Sequence, residues 1–175
     1  EGNEVVAIVA PSFVGQFGKD VTVPKFLTAM KQLGFSDVVE VAAGADICTI
    51  EEAHDFMEKV PLEQRFMATS CCPSWRIPIL MARRLFPAES GNISMTYTPM
   101  VYTARLVKKE HPNSKVVFIG PCAAKKLEAM QDDIRTDVDF VLTYEELMGI
   151  FEAKEINFST LPDSPDLDEG TRAGR

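Results

Sequence analysis

Long apolar runs and a positively charged leader are both missing from this sequence of 175 residues. No stretch approaches the roughly eighteen consecutive apolar residues that a membrane-spanning helix requires. The opening segment, EGNEVVAIVAPS, carries no positive charge ahead of its apolar run, which is not the pattern of a secretion signal. We therefore expect a cytoplasmic protein that is not associated with a membrane.

Basic residues are also in the minority, with 18 Lys and Arg against 26 Asp and Glu and a formal net charge of −8. Domains that bind nucleic acid or anionic membranes typically carry a basic patch or a polybasic segment. Because neither is present, nucleic acid is not expected as a partner. The composition, 46% hydrophobic and 25% charged, is typical of a globular domain that can bury a core.

Cysteine is scarce, and the four residues are Cys48, Cys71, Cys72 and Cys122. They are too few for a disulfide scaffold, and a bridge between the neighbours Cys71 and Cys72 would be strained. No CxxC pair occurs, and neither His54 nor His111 stands at zinc-ligand spacing from a cysteine. Metal binding or redox chemistry is therefore a stronger interpretation of these cysteines than disulfide bonding.

Apolar, β-branched runs alternate with segments of helical periodicity along the chain. Strands are predicted at Val5–Ala10, Asp37–Val41, Phe66–Ala68, Lys115–Gly120 and Phe140–Leu142. Helices are predicted at Pro24–Leu33, Ile47–Val60, Trp75–Phe86, Pro99–His111 and Tyr144–Ala153. This alternation favours an α/β fold with a mainly parallel sheet flanked by helices. We expect residues 1–160 to form the domain and residues 161–175, rich in Pro, Asp and Gly, to form a flexible tail or truncated loop.

Two cysteine motifs directly follow predicted strands, TSCCPSW after the third and GPCAAKK after the fourth. Ligands of parallel α/β sheets bind in the crevice at the carboxyl ends of the strands. The predicted helix after Cys71 and Cys72 would favour the thiolate form, which binds metals. The alternative is a pair of buried structural thiols. Cys72 and Cys122 supply two ligands where a cubane takes four, so the residues alone describe half of a metal site.

Charged residues near these motifs can be interpreted in two ways. Lys125, three residues after Cys122, could donate hydrogen bonds to an anionic ligand, although a solvated surface pair with Lys126 is the usual fate of lysine. Glu52 and Asp55 share one helix face with Lys59. That face could equally be solvated and carry only a weak ion pair.

TSCCPSW and PCAAKKLEA (Pro121–Ala129) resemble the first two signature motifs of iron–iron hydrogenases, in the family's order. GADICTIEEA (Gly44–Ala53) is similar to the segment before the first motif, and APS (Ala10–Ser12) to the start of the catalytic domain. The third motif, a two-cysteine, glycine-rich stretch, is absent. The resemblance covers nearly the whole chain and implies one lobe of the two-lobed catalytic domain.

The resemblance also implies a cofactor and roles for single residues. Cys72 and Cys122 would bind the 4Fe-4S cubane of the H-cluster, and Cys71 would exchange protons with the bridging amine of its di-iron unit. Lys125 would donate a hydrogen bond to a cyanide on iron. The other residues that would line the pocket are Pro11, Ser12, Gly120 and Pro121. The residues of a proton relay would be Cys71, Glu52, Ser94 and Asp55.

Three further positions complete the resemblance. Glu128 matches the glutamate that closes the second motif. Gly120 departs from the family, which usually has a methionine there, and the missing side chain is expected to open the pocket. Such changes suit sensory members of the family. Cys48 has no counterpart and is interpreted as a structural thiol.

The implied reaction is the reversible reduction of protons to dihydrogen. Electrons would come from a ferredoxin-like carrier or a fused iron–sulfur domain, and the remainder of the catalytic domain would be a further partner. As a fragment with two of four ligands, the chain is expected to bind no complete cluster and to be inactive alone. The alternatives are a hydrogen-sensing protein and a non-catalytic relative used in iron–sulfur assembly. The presence of Cys71 and Lys125 argues against the second of these.

Overall fold

The computed structural model describes residues 4–69, residue 72 and residues 84–162. The predicted helix Trp75–Phe86 therefore lies mostly outside the described residues, although Arg84 and Leu85 are helical. Most of the predicted tail lies outside them as well. Cys71, a predicted catalytic residue, is also outside this set.

Four strands form one parallel sheet in the described part of the chain. They are β1 (Val5–Val9), β2 (Asp37–Glu40), β3 (Lys115–Gly120) and β4 (Phe140–Thr143). Their order across the sheet is β2-β1-β3-β4, and every neighbouring pair is parallel. Helices flank the sheet, so the predicted α/β fold is confirmed.

The predicted strand Phe66–Ala68 is wrong. Only Ala68 pairs, in an isolated parallel bridge with Ile93. Phe66 is about half exposed, so this three-residue run does not have the buried side chains that a central parallel strand needs. The first cysteine motif therefore does not follow a strand of the sheet.

Five α-helices that lie wholly within the described residues connect or follow the strands. They are α1 (Val23–Gln32), α2 (Ala42–Lys59), α3 (Pro99–Glu110), α4 (Ala124–Ala129) and α5 (Tyr144–Ala153). Helix α2 begins five residues before its predicted start, because its first turns contain small residues that allow close packing on α3. A Cβ added at Gly44 would lie 2.8 Å from the backbone nitrogen of Thr103 and would also meet Pro99 O and Thr103 Oγ1. No helix in the described ranges is both long and apolar enough to cross a membrane.

Both faces of the sheet are buried, which explains why β1 is a continuous apolar run. Ala7 and Val9 face a core that α1 and α5 complete, whereas Val6 and Ile8 face a core completed by α3. Successive strand residues point to opposite faces, so one five-residue strand contributes to both cores. The two central strands, β1 and β3, are thereby fixed from both sides.

A half-buried carboxylate ties α3 to the sheet. Asp139 accepts hydrogen bonds from Lys108 Nζ at 2.9 Å, Lys115 Nζ at 2.7 Å and the backbone N–H of Val116 at 2.9 Å. Burial alone would raise the pKa of Asp139, but these hydrogen bonds outweigh burial and hold it below its usual value. Asp139 is therefore ionised at neutral pH and stabilises the entry into β4.

Candidate functional site

The carboxyl ends of β1 and β3 lie side by side at one edge of the sheet, since Val9 pairs with Ile119. The backbone N–H of Ala10 donates to Ile119 O at 2.9 Å, which extends the pairing beyond the strand. The residues that the two strands deliver to this edge are Pro11, Ser12, Gly120, Pro121 and Cys122. The structure thus brings together predicted residues that are more than a hundred positions apart in sequence.

A buried tyrosine holds the loop after β1. The hydroxyl of Tyr144, the first residue of α5, donates to Ala10 O at 3.0 Å and lies 2.8 Å from Ser12 Oγ. Because the single phenolic proton goes to the carbonyl, the Ser12 hydroxyl donates to the tyrosine oxygen. Burial raises the pKa of Tyr144 despite the opposing hydrogen bond from Ser12, so the phenol stays neutral. The sequence reasoning missed Tyr144, because no local pattern links it to a loop 132 residues away.

Lys125 lies in the first turn of α4, three residues after Cys122. Its Nζ donates to Glu128 Oε2 at 2.7 Å and to Thr98 Oγ1 at 3.1 Å. Its side chain is 12% exposed, whereas that of Lys126 is 42% exposed and pairs with Glu146. The interpretation of Lys125 as a solvated surface lysine is therefore wrong. For Lys126 the same interpretation agrees with the exposure of its side chain.

Gly120 does not open a pocket. A Cβ at this position would lie 2.6 Å from both Cε1 and Cζ of Phe118, and this ring is buried. Residues i and i+2 of a strand point to the same face, so the Phe118 ring occupies the space that a side chain at Gly120 would fill. The expected opening is corrected, because an aromatic ring replaces the missing side chain.

The cysteines differ in their surroundings. Cys72 is exposed and Cys122 half-buried, and neither forms a disulfide. Cys48, on α2, is buried and forms no disulfide, consistent with a structural role. Among the described residues, no group of three or more His, Cys, Asp or Glu side chains could hold a metal ion. Cys72 and Cys122 are chemically suited to an iron–sulfur cluster but amount to two thiolates of the usual four.

Helix α2 carries the two predicted relay carboxylates. Glu52 Oε1 is buried and, within the described part of the chain, has no hydrogen-bond partner. Burial raises the pKa of Glu52, and the charge of Asp55 raises it further. Asp55 itself forms an ion pair with Lys59 at 3.1 Å. A solvated face therefore describes Asp55 and Lys59 but not Glu52, whose buried oxygen can hold or accept a proton.

Ser94, the remaining described relay residue, is almost completely buried. Its hydroxyl donates to Thr96 Oγ1 at 3.0 Å and accepts from the backbone N–H of Thr96. Its backbone N–H donates to Ala68 O, which places Ser94 beside the segment that leads into the first cysteine motif. The assignment of Cys71, Glu52, Ser94 and Asp55 as one relay stays a prediction.

Known proteins resemble this chain in sequence and in fold. A family model described as iron only hydrogenase large subunit, C-terminal domain, matches residues 3–175. Iron hydrogenase 1 of Clostridium pasteurianum is 32% identical over 97% of this chain and 33% of its own length. The apo [FeFe]-hydrogenase HydA1 of Chlamydomonas reinhardtii superposes with a TM-score of 0.77 at 26% identity, over 91% of this chain and 45% of that one.

A relative with a different named role is similar as well. The cytosolic Fe-S cluster assembly factor NAR1 of Phaeosphaeria nodorum is 33% identical over 66% of this chain and 21% of its own length. The chain spans less than half the length of each of these three relatives. Similarity therefore extends to hydrogenases and to an assembly factor, and the residues of the site must distinguish the two roles.

Proposed function

This chain belongs to the family of iron-only hydrogenase large subunits, within their C-terminal domain, and from that premise we propose that it is part of a catalytic domain that interconverts protons and dihydrogen. The observation that carries the proposal is the side chain of Lys125, which is only 12% exposed and follows Cys122 by three residues. A largely buried cation three residues from a candidate thiolate ligand is suited to an anionic metal cluster. A lysine with no such task is normally solvated.

The cofactor of the proposal is the H-cluster, a 4Fe-4S cubane joined to a di-iron unit. When bound, it supplies the iron at which dihydrogen is formed or split. Cys72 and Cys122 would hold the cubane through their thiolates, and Lys125 would orient the di-iron unit by donating to a cyanide. Pro11, Ser12, Gly120 and Pro121 would shape the pocket and limit the access of water to it.

The proton path of the proposal depends on Glu52. Its raised pKa allows a buried carboxyl to be protonated closer to neutral pH than an exposed glutamate, as a relay requires. Cys71 would take protons onward to the reacting centre. Ser94 and Asp55 would connect Glu52 towards the surface, where the Asp55–Lys59 ion pair lies partly in solvent.

The full reaction needs groups that this sequence does not supply. Two further thiolates would come from the remainder of the catalytic domain. Electrons would come from a ferredoxin-like carrier or a fused iron–sulfur domain, in the cytoplasm. We propose that the chain alone is inactive for this reason.

An iron–sulfur assembly role is the second candidate, favoured by the similarity to the assembly factor. The proton-transfer cysteine and the cluster-facing lysine are features of the hydrogenase branch of the resemblance, and both are present as Cys71 and Lys125. A hydrogen-sensing role rests on Gly120. The Phe118 ring beside Gly120 restores bulk at that point, which favours a catalytic role over a sensory one.

Iron analysis of cysteine variants tests the proposal. In the full-length protein, reconstituted anaerobically with iron and sulfide, Cys72→Ala and Cys122→Ala should lose the cubane and its electron paramagnetic resonance signal. Cys48→Ala is the matched control, because Cys48 is a buried cysteine on α2 that belongs to neither cysteine motif, and it should keep both. Full iron content in the Cys72 or Cys122 variant would refute the ligand assignment. Hydrogen evolution by the wild type, measured with a chemical reductant, separates the hydrogenase from the assembly role.

A further inference from the structure

Two residues without an assigned role surround the ammonium group of Lys125. Besides the two hydrogen bonds from Lys125 Nζ, the hydroxyl of Thr98 donates to Glu128 Oε1 at 2.6 Å. Each of the three side chains therefore contacts the other two. We call this closed set, Thr98, Lys125 and Glu128, the lysine cluster.

Stability alone does not account for the lysine cluster. Glu128 is 4% exposed, and removing a carboxylate from water is costly even when it is paired. Buried ion pairs can often be replaced by apolar residues without loss of stability. A six-residue helix could be packed by apolar side chains at lower cost, so the retention of two charges beside Cys122 calls for another explanation.

Thr98 gives independent support, because it precedes α3 in the position of a capping residue but does not cap the helix. Thr22 before α1 and Thr143 before α5 each accept a backbone N–H from their own helix. The Thr98 hydroxyl instead donates to Glu128, thirty residues further along the chain. Thr98 therefore makes a hydrogen bond to Glu128 at the site instead of the usual N-cap hydrogen bond to its own helix.

The number of N–H donors on lysine shows what the lysine cluster does. An ammonium group has three N–H donors, and the lysine cluster uses two of them. We infer that Glu128 and Thr98 are positioning residues, which hold the ammonium of Lys125 in one place and leave one N–H for an anionic ligand of the di-iron unit. The inference rests on the proposed function, since that ligand belongs to the H-cluster.

Competitive acetylation of the full-length apo protein tests whether Thr98 and Glu128 position Lys125 when no H-cluster is bound. Acetic anhydride labels accessible amines, and mass spectrometry gives the ratio of Lys125 to Lys126 labelling. Glu128→Gln and Thr98→Val should each raise this ratio severalfold, because the ammonium loses a partner, and Thr98→Ser should restore it. Glu146→Gln is the matched control, since it releases Lys126 and should lower the ratio. An unchanged ratio in both Glu128→Gln and Thr98→Val would overturn the inference.

Infrared spectra of the loaded full-length protein test the consequence. Glu128→Gln and Thr98→Val should shift or weaken the cyanide bands while the cubane signal persists, and Glu146→Gln should leave the bands unshifted. A merely structural role would lower the melting temperature and leave the bands in place, which would refute the inference. Absence of cyanide bands from the loaded wild type would refute the proposed function and the task assigned to Lys125. The acetylation ratio would still decide whether Glu128 and Thr98 position the lysine.

Discussion

Replacement of Gly44 by alanine should destabilise the protein, although alanine is the better helix former. Gly44 lies in the first turn of α2, where alanine is favoured over glycine by up to about 1 kcal/mol. Against this, the added Cβ would lie 2.8 Å from Thr103 N and would also meet Pro99 O, and both are backbone atoms. Backbone of a packed helix cannot rotate away as a side chain can, so α2 and α3 must separate. Overpacking of this kind costs about 1–3 kcal/mol.

The steric cost is expected to win, with a net loss of up to about 2 kcal/mol in the free energy of unfolding. For a chain of this size, each kcal/mol lowers the melting temperature by about 2–4 °C. Thermal and urea unfolding of purified Gly44→Ala and wild-type protein, monitored by circular dichroism, would measure the change. The same separation would move Glu52, which lies two turns further along α2.

Gly149 provides the matched control in the interior of α5. A Cβ at Gly149 would meet no atom within 4 Å, so Gly149→Ala gains helix propensity without a clash. It should stabilise the protein by up to about 1 kcal/mol. If both alanine variants were stabilised to the same degree, the close approach of α2 to α3 at Gly44 would be wrong.

Three further predictions follow from other groups. Asp139→Asn should lower the free energy of unfolding at pH 7 by about 1–3 kcal/mol. Because its folded-state pKa is lowered, this stabilisation is present above the pKa of an unfolded aspartate and disappears as pH falls through the folded value, so the stabilities of both proteins in urea titrations should converge as the pH falls below the pKa of an unfolded aspartate. Cys71→Ala in the full-length protein should slow hydrogen turnover roughly a hundred- to ten-thousandfold with the cluster still assembled, and equal loss of iron would contradict a proton-transfer role. Tyr144→Phe should cost about 0.5–1.5 kcal/mol and speed amide exchange in the loop that carries Ser12, and unchanged exchange would show that the phenol does not hold this loop.

The strands and long helices could be predicted from the sequence because buried positions are occupied by apolar residues in runs or at regular spacing. β3 and α5 have the predicted bounds, since the strand is an apolar run after Lys115 and the helix begins directly after the capping residue Thr143. Helix α4 was not predicted, because its six residues are too few to show a period. The strand predicted at Phe66–Ala68 was wrong because three apolar residues fit a strand pattern whether or not they are buried.

The site was predictable only in part. The carboxyl-end rule for parallel sheets placed Cys122 at the edge where the structure has it, whereas Pro11 and Ser12 were expected in the site only from the family resemblance. The partners that hold these residues were not predictable. Glu128 had no role, and neither Thr98 nor Tyr144 was selected, because hydrogen bonds between distant segments leave no periodic signal in a single sequence.

During folding, the site can form only after β1 has paired with β3. Val5 pairs with Lys115, so this contact closes a loop of 110 residues (115 − 5). Closing so long a loop has a high entropic cost and is characteristic of slow, late steps in folding. Opening of an outer strand, β2 or β4, leaves the loop after β1 beside Cys122, whereas separation of the two central strands removes the site altogether. Amide exchange at this edge should therefore report global unfolding, and a cluster inserted from outside would find its binding edge only in chains whose central strands have already paired.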